Sequence, residues 1–167
     1  KVGNTTSTFY PDADPESTSV DGFAQHFVSG GTTWASQRAA AGNGSNDTSN
    51  TCFGVGTGWQ TSTFAEHYNS IWRAFMLFDT SAIPDTDVIS SATISVYGDC
   101  EGDSASEPKD PSFGIYSSNP SSNTSITGTD YATLGTTPLS DTSYTDATWS
   151  LAGYNDFALN SSGLSTI

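Results

Sequence analysis

Apolar residues nowhere recur along this chain at the three- and four-residue spacing of an amphipathic helix. Short runs that alternate apolar with polar residues recur instead, separated by clusters of Gly, Pro, Ser, Asn and Asp. That pattern belongs to an all-β chain. Residues 71–78, IWRAFMLF, are apolar on both parities except at Arg73, which predicts a central strand covered on both faces. A turn over 79–87 containing Pro84 follows, and then 89–98, where Ala92, Ile94 and Val96 alternate with Thr93, Ser95 and Tyr97. This second run predicts a strand with one dry and one wetter face, and the two runs form the clearest strand pair. Further strands are expected at 113–117, 144–151 and 156–159, with an early extended segment at 7–10. Residues 129–135, TDYATLG, predict a single helical turn opened near Asp130 and closed by Gly135. Residues 33–41 fit a strand and a short helix equally, and 42–50 read as a polar loop. No internal repeat or interdomain linker interrupts the pattern. The expectation is one domain, 1–167, built as an antiparallel β-sandwich of jelly-roll or immunoglobulin-like kind.

Charge narrows the partners. Lys and Arg number 4 against 18 Asp and Glu, for a formal charge of −14, although only 13% of residues are charged. The polar surface is therefore mostly Ser, Thr, Asn and Gly. Such a surface repels phosphate backbones and lacks the basic stripe that drives nucleic-acid binding, so nucleic acid is excluded as a partner. It suits an exterior rich in divalent cations better than cytoplasm. No apolar run is long enough to cross a bilayer, which argues against membrane insertion, and the opening at Lys1 reads as a processed chain.

Cys52 and Cys100 are the two cysteines, 47 residues apart in the intervening chain. A disulfide between them would stabilise an exported domain by roughly 3–4.5 kcal/mol through loop closure; the other reading is two separately buried thiols. Asn4, Asn43, Asn46, Asn123 and Asn160 each open an Asn-X-Ser/Thr triplet and are glycan acceptor candidates in a cell that has the transferase.

The order Arg73, apolar strand, Phe78-Asp79-Thr-Ser, Ile83-Pro84, Ile89-Ser-Ser-Ala92 and alternating strand resembles the DNRLRE-type extracellular β-sandwich domains. The opening TFYPDADPESTSVDGF, with Asp12 and Asp21-Gly22, is similar to the early strand and loop of that family. YNDFALNSSGLSTI is similar to one of its late segments. The resemblance implies a jelly-roll-like sandwich found on secreted, cell-surface and structural proteins, sometimes in carbohydrate binding. Family members continue with further strands past a segment like 160–167. A sandwich lacking one strand would expose about four core side chains, each worth roughly 1.5–3 kcal/mol when buried, beside a row of unpaired backbone groups. Such a groove is expected to be filled.

Residues 1–10, KVGNTTSTFY, are Thr-rich, free of Pro and extended in character, with Val2, Asn4, Thr6, Thr8 and Tyr10 on one parity. They form either a first strand within the domain or a donor strand given to a neighbouring subunit. Head-to-tail donation of this kind propagates as a filament.

Chemistry at particular residues is sparse. His26 and His67 lie in polar surroundings with no nucleophile motif near them, so no catalytic residue is assigned and the chain is not expected to be an enzyme. Calcium suits the acidic loops better, since it takes about six to eight oxygen ligands. Asp12, Asp14 and Glu16, with Asp21 folding back, form one candidate loop, and Asp99, Glu101 and Asp103 the other. Each also reads as a solvated acidic turn. No cofactor is expected, a structural Ca2+ in one of these loops being the alternative. For carbohydrate, Trp59 in GVGTGWQT and Trp34 are the candidate surface rings, with Tyr68 and Tyr154 lesser ones and Trp149 a further tryptophan, while Trp72 reads as core. Arg73 is expected to reach a carboxylate such as Asp79 or to extend to solvent. Together these observations imply an extracellular or cell-surface structural protein, a pilus-like homopolymer subunit held by donor-strand exchange. The alternative is a carbohydrate-binding or adhesive module that takes polysaccharide.

Overall fold

The computed structural model describes residues 5–11, 15–48, 56–59 (backbone only), 67–99 and 112–167. The chain is all-β, with antiparallel ladders throughout and short helical pieces between them. The longest strand, β1 (Asp21–Thr33), is followed by a one-and-a-half-turn helix α1 (Trp34–Ala39) and then by β2 (Gly44–Asn46), β3 (Gly56–Trp59) and β4 (His67–Met76). These four strands form one sheet in the order β2-β1-β4-β3. Residues 33–41 thus resolve as helix, started by the Thr33 side chain accepting from the Ser36 N–H at 3.3 Å. The polar loop expected at 42–50 contains β2 as a short edge strand.

The register between β1 and β4 runs from Asp21 opposite Met76 to Phe27 opposite Ser70 and resumes at Thr32 opposite Tyr68. The extra β1 residues between these pairs bulge out through Gly30 and Gly31, at φ 88° and 70°. A side chain at Gly31 would also press against the His67 Cβ at 3.0 Å, so glycine is required there twice over.

One face of this sheet carries the core. Val20, Ala24, Ile71 and Phe75 pack with Ile126 and Tyr131, and Leu77 borders them. The other face carries Phe23, Gln25 and Phe27 beside Ala74, Trp72 and Ser70. Residues 71–78 were expected to be covered on both faces with Trp72 in the core. β4 is indeed central, but Trp72 stands on the outer face at 38% exposure, its indole N–H donated to the Gln25 Oε1. Alternation decides this: Trp72 shares its parity with the outward row, and Arg73 takes the inward one.

The two clearest strands are both present, but they are not partners. β5 (Thr93–Tyr97) pairs with β10 (Tyr154–Ala158), not with β4. Two successive turns, closed by Ile83 N–H to Thr80 C=O and Asp87 N–H to Pro84 C=O, lengthen the connection beyond a hairpin and carry the chain to another sheet. Ile94 and Val96 then lie opposite Phe157 and Asn155 on the inward face of the β5/β10 ladder, and Tyr97 opposite Tyr154 on the outward face.

Expected strand 113–117 is divided between β6 (Ser112–Phe113) and β7 (Tyr116–Ser118). A 3-10 helix (Gly128–Thr133) forms at the expected helical turn but ends before Gly135, which lies instead in β8 (Leu134–Pro138), paired with β7. Of the strand expected at 144–151 only β9 (Tyr144–Thr145) forms, paired with β6, before a 3-10 turn at Asp146–Thr148. A bridge between Ser140 and Leu159 and the Leu159 N–H to Ala92 C=O bond, 2.9 Å, connect these short ladders. The chain's last element is α2 (Ser161–Leu164). Phe113, Tyr144, Trp149 and Phe157 form an aromatic cluster here, with Tyr144 edge-on to both Trp149 and Phe157 at 5.7 and 5.0 Å between centroids.

Phe75 is fully enclosed in the first core. Phe75→Ala is expected to lower the unfolding free energy by about 3–5 kcal/mol, read as a fall in urea midpoint at unchanged slope. A loss near zero would mean that Phe75 does not carry that core.

Candidate functional site

The amino-terminal segment is the first candidate. Residues 5–10 belong to no strand, and among the described residues no backbone hydrogen bond ties them to a sheet. Thr6 and Thr8 are exposed, and Tyr10, on the same parity, is 78% exposed; only Phe9 and Pro11 are half-covered. Of the proposed donor-strand residues, Val2 and Asn4 lie outside the described residues. A segment outside the sheets that takes up strand conformation is a template for pairing with another sheet.

The second candidate is a buried polar junction on the inner face of β4. The Arg73 guanidinium lies over the Tyr131 ring, 3.8 Å from its centroid. It donates to the backbone carbonyl of Tyr131 and, at 3.0 Å, to that of Arg38. The Tyr131 hydroxyl donates to the Gln37 carbonyl at 2.7 Å. Gln37, itself buried, meets the His26 ring at Nδ1, 2.5 Å away, and donates to the His26 carbonyl at 3.4 Å. Arg73 therefore serves two backbone carbonyls, one at the end of α1 and one in the 3-10 helix, rather than the carboxylate expected of it. Burial pulls its pKa below the ordinary arginine value and the like charge of Arg38 adds to that, while Tyr131 opposes it. Burial likewise pushes the Tyr131 phenol up. The pair holds neighbouring elements together, a positioning role.

Asp130 anchors the neighbouring loop. It accepts the N–H groups of Ser121 and Thr127, at 2.8 and 2.7 Å, and the Thr127 hydroxyl at 2.8 Å. Burial alone would raise its pKa, but these bonds outweigh burial and hold the carboxyl below its usual value. Asp47 performs a similar service by accepting the Ile126 N–H at 2.6 Å.

The histidines sit at separate points of the first sheet, His26 opposite Ile71 and His67 opposite Thr33. An open groove of about 390 Å3 lies beside the 77–81 turn, between Thr18 and Asn123, with Asp79 the one titratable lining group among the described residues. No pair of acid and base groups converges in it.

Sequence-predicted positions scatter over the surface. Trp34 is 40% exposed and tilts against Tyr68, 4.9 Å between centroids, and Tyr68 is buried beneath it. The Trp59 side chain lies outside the described residues, though its backbone pairs with β4 at Tyr68. Trp149 is taken up by the aromatic cluster. Tyr154 stands outward with Tyr97, edge-on at 5.2 Å. On the outer face of the first sheet Trp72, read from the sequence as core, is exposed, and so is Phe27, which residue type and spacing did not single out.

Asp12, Asp14, Glu101 and Asp103, together with Cys52 and Cys100, lie outside the described residues, whereas Glu16, Asp21 and Asp99 lie within them. Among the described residues no three His, Cys, Asp or Glu gather to hold a metal ion, and no helix is long and apolar enough to cross a membrane. Asn4 is outside the described residues; Asn43, Asn46 and Asn123 are exposed and Asn160 is half-buried. Comparison of the chain with family models, with curated proteins and with solved structures finds no significant match.

Two substitutions test the junction. Arg73→Met strands two backbone carbonyls and removes the cation from the Tyr131 ring, an expected loss of roughly 3 kcal/mol in chemical denaturation. For Asp130, a depressed native pKa makes its stabilisation complete above the unfolded value of about 3.9 and lost as pH falls through the lower native value. Asp130→Asn is expected to destabilise the neutral protein and to flatten its unfolding profile below about pH 4. An unchanged acid limb would contradict the role of those bonds.

Proposed function

We propose that the chain is a non-enzymatic, extracellular structural protein, a subunit of a filament or surface assembly held by β-strand addition. The observation that carries this reading is the segment 5–10, largely exposed and outside every strand of its own fold. Thr6, Thr8 and Tyr10 present one parity to a partner sheet, and Phe9 offers an apolar side chain on the other. The acidic, Lys-poor surface supports a location outside the cell, and the motif order of the DNRLRE-type domains supports a sandwich of that kind.

A second reading, a carbohydrate-binding module, is favoured by a specific observation. Trp72 is held by Gln25 on an outer sheet face with Phe27 diagonal to it, a combination of ring and amide that suits the C–H and hydroxyl groups of a neutral sugar.

Negative-stain electron microscopy of the native material decides between them. Filaments that disappear when residues 1–10 are deleted, with the remaining domain still folded, are the expected result. Dispersed monomers retained on polysaccharide and released by Trp72→Ala would overturn assembly in favour of sugar binding.

A further inference from the structure

The Asn-X-Ser/Thr triplets share one motif, but the fold places their amides in different states. Asn160 is fully engaged. Its Nδ2 donates to the Pro138 carbonyl at 3.2 Å and to the Asp141 Oδ1 at 2.9 Å, while its Oδ1 accepts the N–H groups of Ser162 and Gly163, at 3.0 and 3.1 Å, to cap α2. Both of its N–H hydrogens and both lone pairs are therefore in use. Asn43 extends the β1/β2 ladder through its side chain, donating from Nδ2 to the Phe27 carbonyl at 2.7 Å and accepting the Phe27 N–H at 2.9 Å.

Asn46 differs from both. It is exposed at the end of the edge strand β2, and its Oδ1 accepts the N–H of Thr48 at 3.0 Å and the Thr48 hydroxyl at 3.5 Å, both within its own triplet. Among the described residues no hydrogen bond engages its Nδ2. Two donors on the carbonyl oxygen polarise the amide of an exposed side chain. Asn123 is exposed too, but among the described residues no bond joins it to Ser125, the hydroxyl residue of its triplet.

We propose that Asn46 carries an N-linked glycan and that Asn43 and Asn160 remain bare. The donor class is a glycan carried on a lipid phosphate or pyrophosphate, presented by a transferase. Asn46 Nδ2 bonds to the anomeric carbon, the bond from that carbon to the phosphate oxygen breaks with its electron pair leaving on the lipid phosphate, and one Nδ2 proton passes to a transferase base. The products are the N-glycosidic bond and the free lipid phosphate. This inference rests on the reading of the chain as an exported protein. At the end of β2, the glycan shields one outer edge of the four-stranded sheet, so an incoming strand is steered to another edge.

Mass spectrometry of chymotryptic peptides from the native protein, with the cells fractionated in parallel, tests the proposal. The expected result is a glycan mass on the peptide spanning 35–53, placed on Asn46 and not on Asn43 by fragmentation that leaves the glycan attached, and none on the peptide containing Asn160. An Asn46→Gln chain should be lighter by that one glycan with an unchanged circular dichroism spectrum. A chain recovered outside the cell with Asn46 bare, or a glycan on Asn160, overturns this proposal alone. A bare chain found only inside the cell overturns the exported reading and this proposal together.

Discussion

The guanidinium of Arg73 is the contact on which the first half of the fold depends. α1 and the 3-10 helix are too short to be stable alone, and each leaves backbone carbonyls without a partner at its end. One side chain, projecting inward from the central strand of the sheet, satisfies a carbonyl from each while its flat face covers the Tyr131 ring. Tyr131 in turn reaches Gln37, and Gln37 reaches His26 on β1. Three segments distant in sequence are thereby fixed to one another by a closed set of polar contacts inside an otherwise apolar core. Buried polar groups of this kind specify a single arrangement, because any displacement leaves one of them unsatisfied.

Residues were most legible where the two parities of a strand differ in the ordinary sense. In 93–97, Ile94 and Val96 turn inward and Thr93, Ser95 and Tyr97 outward, as alternation predicts. The helical turn near Asp130 was also legible, since an acidic residue near a helix start is a local signal. The first sheet was harder because its pattern is inverted. The inner face of β1 carries Gly22, Ala24 and His26, and the outer face carries Phe23 and Phe27. Gly22 admits the close approach of the backbone at Asn46 and Asp47, and Ala24 packs with Tyr131, but to a reader of hydrophobicity these small inner residues look like a glycine-rich loop, and β1 went unread. The same inversion exchanged Trp72 and Arg73 between surface and core.

Pairing was less legible than strand position, for a different reason. Which strand lies beside which depends on contacts far apart in the chain, such as Phe157 against Ile94, and not on the turn that follows a strand. The site followed the same division. The exposed segment 5–10 could be anticipated from local composition, whereas the different states of the Asn amides depend on neighbours as remote as Phe27 and Pro138. Motif spacing alone treats those amides as equivalent; their hydrogen bonds do not.

The junction at Arg73 also bears on how the chain meets proteases that cut after basic residues. The chain holds only four basic residues, so enzymes that cut after Lys or Arg have few places to begin. Arg73 is committed inside the fold, and the carbonyl of Arg38, which such an enzyme must attack, is held by the Arg73 guanidinium. Cleavage at either arginine requires that same contact to open first. The contact that orders the core thus also restrains the backbone at two of the chain's few tryptic bonds.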